Sequence, residues 1–173
     1  MIDKIIIQFI GAIGYGLLAF SYLKKEKKQI LFIQLISYIF FSIHYYLLNG
    51  VTGAICNIIG LVALLTIYLF DKYKINYKLT ISTFFIGSII IVNILTFQNI
   101  YSIFPMIASI IVIISFLFES ENIIRKVGII SAICWLIYAI VYKSYVTIIF
   151  EAITLIDVCY AYIKNKWFFY SAF

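Results

Sequence analysis

Residues 135–166 read WLIYAIVYKSYVTIIFEAITLIDVCYAYIKNK. Two apolar runs meet at Lys143-Ser144, which leaves room only for a hairpin turn. Each run has the roughly 20 residues that cross a bilayer, so the stretch reads as two antiparallel membrane spans. The second span carries Glu151 and Asp157. A carboxylate at mid-span costs roughly 3 kcal/mol on insertion scales, and an ionisable residue there is a candidate functional group.

The same reading runs outward over the whole chain. Spans are expected at residues 4–23, 29–48, 51–70, 79–97, 100–118, 123–142 and 145–164. Asn49-Gly50 is a second tight join. The 173 residues are 65% hydrophobic and 12% charged, against about 25% charged in a soluble domain. A polytopic all-α membrane protein is therefore expected. The first run has no small-residue cleavage site before its Lys cluster and reads as a retained span. Cys56, Cys134 and Cys159 lie inside apolar runs, form no C-x-x-C, and read as small packing residues.

Net charge is +6, but the cations cluster at span ends, so they read as membrane anchors and not as a nucleic-acid surface. With the N-terminus outside, the inner face receives Lys24, Lys25, Lys27, Lys28, Lys72, Lys74, Lys78, Arg125, Lys126, Lys164 and Lys166. The outer face receives Lys4 and Lys143. This asymmetry supports an odd number of spans and a cytoplasmic C-terminus.

Sliding the chain on itself by 94 residues aligns the first three spans with the last three. Ser21 meets Ser115, Ser37 meets Ser131, Phe41 meets Trp135, His44 meets Tyr138 and Asn57 meets Glu151. Gly11 meets Pro105, the single proline, which suggests a flex point in both first helices. Two odd-numbered repeats of one orientation need a linking span between them. The expected organisation is 3+1+3: a first three-helix bundle over 1–78, a linker helix over 79–98 and a second bundle over 99–173. The repeats are parallel, as in some transporters.

Helical spacing gathers polar and small residues into stripes. One holds Gln34, Ser37, Phe41 and His44, and its repeat partner holds Gly128, Ser131, Trp135 and Tyr138. Another holds Gly53, Asn57 and Gly60, and its partner Thr147, Glu151 and Thr154. A shared cavity between the bundles is the simplest place for them. Bland readings stand beside this one. Small residues in spans usually allow close helix packing. Asn57 reads equally as an interhelical link, a lone His such as His44 is more often a packing residue, and Trp135 alone reads as packing or an anchor. Glu151 favours function. Asp157 lies about 120° round the helix from it and could pair with Lys164 or Arg125. Asn93 shares Asn57's ambiguity.

These features resemble the SWEET sugar transporters and the wider PQ-loop (MtN3-like) group. The resemblance rests on the 3+1+3 pattern and on "WLIY", Trp135 and Tyr138, followed 16 residues after the Trp by Glu151; Phe41, His44 and Asn57 repeat the spacing. It implies that Phe41, Trp135, Asn57 and Glu151 line a substrate site. "SIHYYLLNGVTGAICNIIG" and "CWLIYAIVYKSYVTIIFEAITLI" are more closely similar to the signature stretches of the bacterial inner-membrane YgjV family, over nearly the whole chain. The chain departs from SWEETs in having no Pro-Gln pair, Glu151 for one asparagine and Phe41 for one tryptophan.

The expected function is alternating-access transport of a small polar molecule, sugar-, nucleoside- or vitamin-like. The expected substrate-binding residues are Phe41, His44, Asn57, Trp135, Tyr138 and Glu151. Ionised, Glu151 would favour a cationic or multiply hydroxylated ligand; protonated, it would couple transport to protons. Neither a P-loop nor a dinucleotide fingerprint occurs, and the lone His makes no metal motif, so no cofactor, metal or enzyme activity is expected. A non-transporting membrane subunit or scaffold is the alternative. Its mark would be polar stripes facing a partner. The partners expected are the bilayer, a small-molecule substrate and a second copy in a homo-oligomer. The tail WFFYSAF, residues 167–173, reads as an interfacial anchor.

Overall fold

The computed structural model describes residues 4–24, 26–73, 78–115, 117–118, 121–153, 155 and 156. Asp157, Cys159, Lys164, Thr154 and the aromatic tail lie outside the described residues. The described chain is all-helical: α1 (Lys4–Tyr22), α2 (Lys27–Leu47), α3 (Val51–Tyr73), α4 (Lys78–Leu95), a 3-10 turn (Ile100–Ser102), α5 (Ile103–Ser115), α6 (Glu121–Val141) and a further helix, α7, over residues 145–153. Windows in α1, α2 and α3 are each long and apolar enough to cross a membrane. The apolar stretches 79–95, 100–115 and 126–141 are shorter.

Polarity is arranged as a bilayer requires. Phe9, Ile43, Leu65, Ile91 and Ile149 are exposed, while Gln34, Ser37, His44, Asn57, Ser131, Thr147 and Glu151 are buried. In lipid the outer surface needs no polar groups, and polar side chains must find partners inside. Packing runs α1 on α2, α2 on α3, α3 on α4 and α5, and α5 on α6. α7 lies beside α1, where the Val146 N–H donates to Gln8 Oε1 (3.1 Å) and Tyr15 stacks on Phe150 at 5.4 Å.

The 94-residue offset recurs in the bonds themselves. Asn49 and Lys143 are the non-glycine residues with positive φ, at 61° and 54°, among the described residues. At the first turn Gly50 N–H donates to Tyr45 O and Asn49 N–H to Tyr46 O. At the second, Ser144 N–H donates to Ala139 O and Lys143 N–H to Ile140 O. Ser21 Oγ donates to Leu18 O at 2.6 Å, and Ser115 Oγ to Val112 O at 2.7 Å. Contacts between the halves also come in exchanged pairs. Gln8 of α1 meets Val146 of α7, and Ser102 before α5 meets Thr52 of α3. A pseudo-two-fold relation accounts for both.

The left-handed turn residue costs an ordinary side chain about 1–2 kcal/mol, and asparagine tolerates it best. Lys143→Gly should therefore raise the unfolding midpoint in detergent, by up to about 1 kcal/mol of stability, and Asn49→Gly by less. An unchanged or lowered midpoint for Lys143→Gly would contradict the turn geometry.

Pro105 departs from the flex-point reading. It is the third residue of α5, following the 3-10 turn that Asn99 caps. A first-turn proline removes an N–H that has no intrahelical partner and so produces no kink. Gly11 is explained by contact instead: a Cβ there would stand 2.8 Å from the His44 ring. Asn93, ambiguous in the sequence, binds Ser102 O at 2.6 Å and ties α4 to the turn before α5.

Candidate functional site

A small, partly open cavity of about 70 Å³ lies between α1, α2, α3, α5, α6 and α7. Its walls hold six pairs related by the 94-residue offset: Leu18 and Val112, Gln34 and Gly128, Ser37 and Ser131, Tyr38 and Ala132, Phe41 and Trp135, Asn57 and Glu151. Tyr15, Tyr45 and Ser115 complete the lining. The cavity is therefore lined by both repeats of the sequence.

Of the six residues singled out in the sequence, Phe41, Asn57, Trp135 and Glu151 line the cavity, and His44 and Tyr138 do not. Glu151 lies six residues into α7, about 9 Å from its start. It is 5% exposed, and the Tyr15 hydroxyl donates to its Oε1 at 3.1 Å. Among the described residues no lysine, arginine or histidine forms an ion pair with it, and none lines the cavity. Asn57 is also buried, its Nδ2 donating to Gly53 O at 2.9 Å within α3.

His44 and Tyr138 act as a pair elsewhere. Tyr138 is fully buried, and its hydroxyl accepts the Gly53 N–H (3.1 Å), a donor of the first turn of α3 that no helical carbonyl reaches. A Cβ on Gly53 would stand 2.5 Å from the Tyr138 ring, so only glycine admits the phenol. In the equivalent place His44 bridges helices: Nδ1 meets Ile7 O at 2.8 Å and Nε2 meets Ser144 Oγ at 2.6 Å. A carbonyl only accepts, so Nδ1 carries a proton, and in the neutral ring Nε2 accepts from Ser144. Ser144 then accepts from Thr147 at 2.5 Å, and Thr147 from the Tyr45 hydroxyl at 3.3 Å. His44→Ala removes the second donor to Ile7 O, leaves the Ser144 hydroxyl without its acceptor and breaks this chain. It should lower stability by about 1–3 kcal/mol, read as a lower unfolding midpoint; a midpoint equal to wild type would remove the bridge.

These contacts close one end of the molecule. There the two tight turns are tied through Gln98, which donates from Nε2 to Asn49 O (3.3 Å) and accepts at Oε1 from the Tyr142 hydroxyl (2.6 Å). At the other end Leu18, Gln34, Ser115 and Gly128 carry the lining towards the α1–α2 and α5–α6 connections.

Apolar helices with an outward apolar surface and an inward polar cavity fit a membrane protein, and the family comparison agrees. A family model described as a bacterial inner membrane protein, Imp-YgjV, matches residues 5–166. The chain belongs to the Imp-YgjV family. Comparison with curated proteins and with solved structures gives no match. Membership of Imp-YgjV, together with the apolar helices, assigns the chain to the bacterial inner membrane. The match spans both tight turns and every cavity-lining residue of this Imp-YgjV member.

Sequence reasoning missed Tyr15, Tyr38 and Tyr45. Tyr15 had a signal: it follows Gly11 and Gly14, and a Cβ on Gly14 would stand 2.8 Å from the Phe41 ring. Small residues one turn apart let α1 approach α2, and the ring beside them enters the cavity wall.

Proposed function

We propose that this Imp-YgjV member is a transporter of a small polar molecule that works by alternating access. Residues 1–78 and 99–173 form two three-helix bundles of like orientation, joined by a linker helix over 79–98. The arrangement is SWEET-like, with seven spans, the N-terminus outside and the C-terminus cytoplasmic. The observation that carries this reading is the cavity lined by repeat-related pairs, with cross-repeat contacts beyond it at the tight-turn end. Two similar bodies meeting at a central site can rock from one open end to the other. Under this orientation the end opposite the tight turns, beside Lys24 and Lys28, faces the cytoplasm.

The closed end is held by contacts of modest net strength, each hydrogen bond contributing about 1 kcal/mol. Breaking the Tyr138–Gly53, His44–Ser144, Tyr45–Thr147 and Gln8–Val146 contacts opens it. The scaffold alternative calls for polar stripes facing outward. The stripes turn inward here, which favours transport.

The test is counterflow in proteoliposomes of the purified chain, run with sugars, nucleosides, vitamins, polyamines and amino acids. The proposal expects at least one class to exchange faster than in empty liposomes, and that exchange to be lost in Glu151→Gln. Folded protein that exchanges none of them moves the scaffold reading ahead.

A further inference from the structure

Several polar side chains of the cavity turn donors back into the protein. Ser37 Oγ donates to Gln34 O at 2.7 Å, and Ser115 Oγ to Val112 O at 2.7 Å. Asn57 Nδ2 donates to Gly53 O, and Gln34 Nε2 to Ser21 Oγ at 3.4 Å. The hydroxyls of Tyr15 and Tyr45 donate to Glu151 and Thr147. Donors of Ser131, Tyr38 and Trp135 remain beside the amide oxygens of Asn57 and Gln34, and the one charged acceptor in the lining is the Glu151 carboxylate, among the described residues.

Beside these acceptors stand aromatic rings. Tyr15 and Phe41 have centroids 4.6 Å apart, and Tyr45 and Trp135 5.2 Å apart. Ring faces are negative and attract cations. A buried carboxylate with no basic partner among the described residues calls for a positive charge beside it. We propose that the cavity binds a small organic ammonium ion, its charge against Glu151 and its carbon groups against Phe41, Trp135 and Tyr45. This deepens the transport reading and rests on it only in taking the bound species as cargo.

Other ligand classes fit less well. An anion would meet a carboxylate with no cation in the lining. A neutral sugar would bring no positive charge to the Glu151 carboxylate. A bare metal ion would need several oxygen or nitrogen ligands, and among the described residues no group of three His, Cys, Asp or Glu side chains assembles.

The test is calorimetric titration of the full chain in nanodiscs. Choline and n-butylammonium are compared with their neutral counterparts, 3,3-dimethylbutan-1-ol and butan-1-ol. The expected result is that at least one ammonium probe binds about ten-fold or more tightly than its alcohol. Glu151→Gln abolishes that preference at an unfolding midpoint no lower than wild type, and Glu151→Asp restores part of it. Trp135→Leu, which leaves the carboxylate in place, weakens the ammonium probes more than the alcohols. The inference is overturned if neither ammonium probe binds folded wild-type protein, if the alcohols bind as well, or if Glu151→Gln keeps the preference. Ammonium binding without counterflow retains the cation site and removes transport. Counterflow of a neutral solute without ammonium binding does the reverse.

Discussion

Glu151→Gln should abolish solute exchange while leaving the protein as stable as wild type or more so. Glutamine matches the shape of glutamate and keeps an oxygen for the Tyr15 hydroxyl, so the packing around residue 151 is retained. What disappears is a buried carboxylate with no basic partner among the described residues, whose desolvation the fold bears. Loss of a charged hydrogen-bonding group at a ligand costs about 1.5–3 kcal/mol, or roughly 10- to 150-fold in affinity. Opposite movements of function and stability mark a residue kept for its site. Counterflow and a thermal melt on the same preparation measure both. A variant that exchanges normally, or one that unfolds, would show that Glu151 is an ordinary part of the packing.

Tyr138→Ala carries the largest expected loss of stability. The ring is fully buried against Tyr45, Trp135 and Tyr142, with centroids 4.5–5.9 Å away. Emptying such a site costs about 3–5 kcal/mol. Tyr138→Phe keeps the ring and strands the Gly53 N–H at the start of α3, at about 1–3 kcal/mol. The order wild type, Phe, Ala in chemical denaturation tests the capping role. Equal midpoints for Phe and wild type would assign Tyr138 to packing alone.

Much of this molecule was legible in its residues because the bilayer simplifies the code. Apolar runs of fixed length mark helices, and Asn49-Gly50 and Lys143-Ser144 mark turns. The starts of α3 and α7, at Val51 and residue 145, were read without error. The stripes carrying Ser37, Phe41, Asn57, Ser131, Trp135 and Glu151 were legible because helical spacing places residues on a common face. Depth along that face was not. His44 continues the stripe of Phe41, yet one turn further on the halves close together, and its ring goes to Ile7 and Ser144. Tyr138 follows Trp135 in the same way. Periodicity gives the angle around a helix, while the crossing of neighbouring helices decides where a groove ends. Tyr15 and Tyr45 were missed because their repeat counterparts, Ser109 and Ala139, carry no ring. They stand where the two halves differ, beside Glu151.

Alternating access is the central claim, and it can be tested without knowing the cargo. Ser131→Cys would be made in a chain whose Cys56, Cys134 and Cys159 are replaced by alanine. It would then be exposed to a small membrane-impermeant thiol reagent in right-side-out and inside-out vesicles. The account predicts modification from both faces, faster from the face that carries Lys24 and Lys28. Modification from a single face, at a rate no opening of the Tyr138 and His44 end can change, would contradict it.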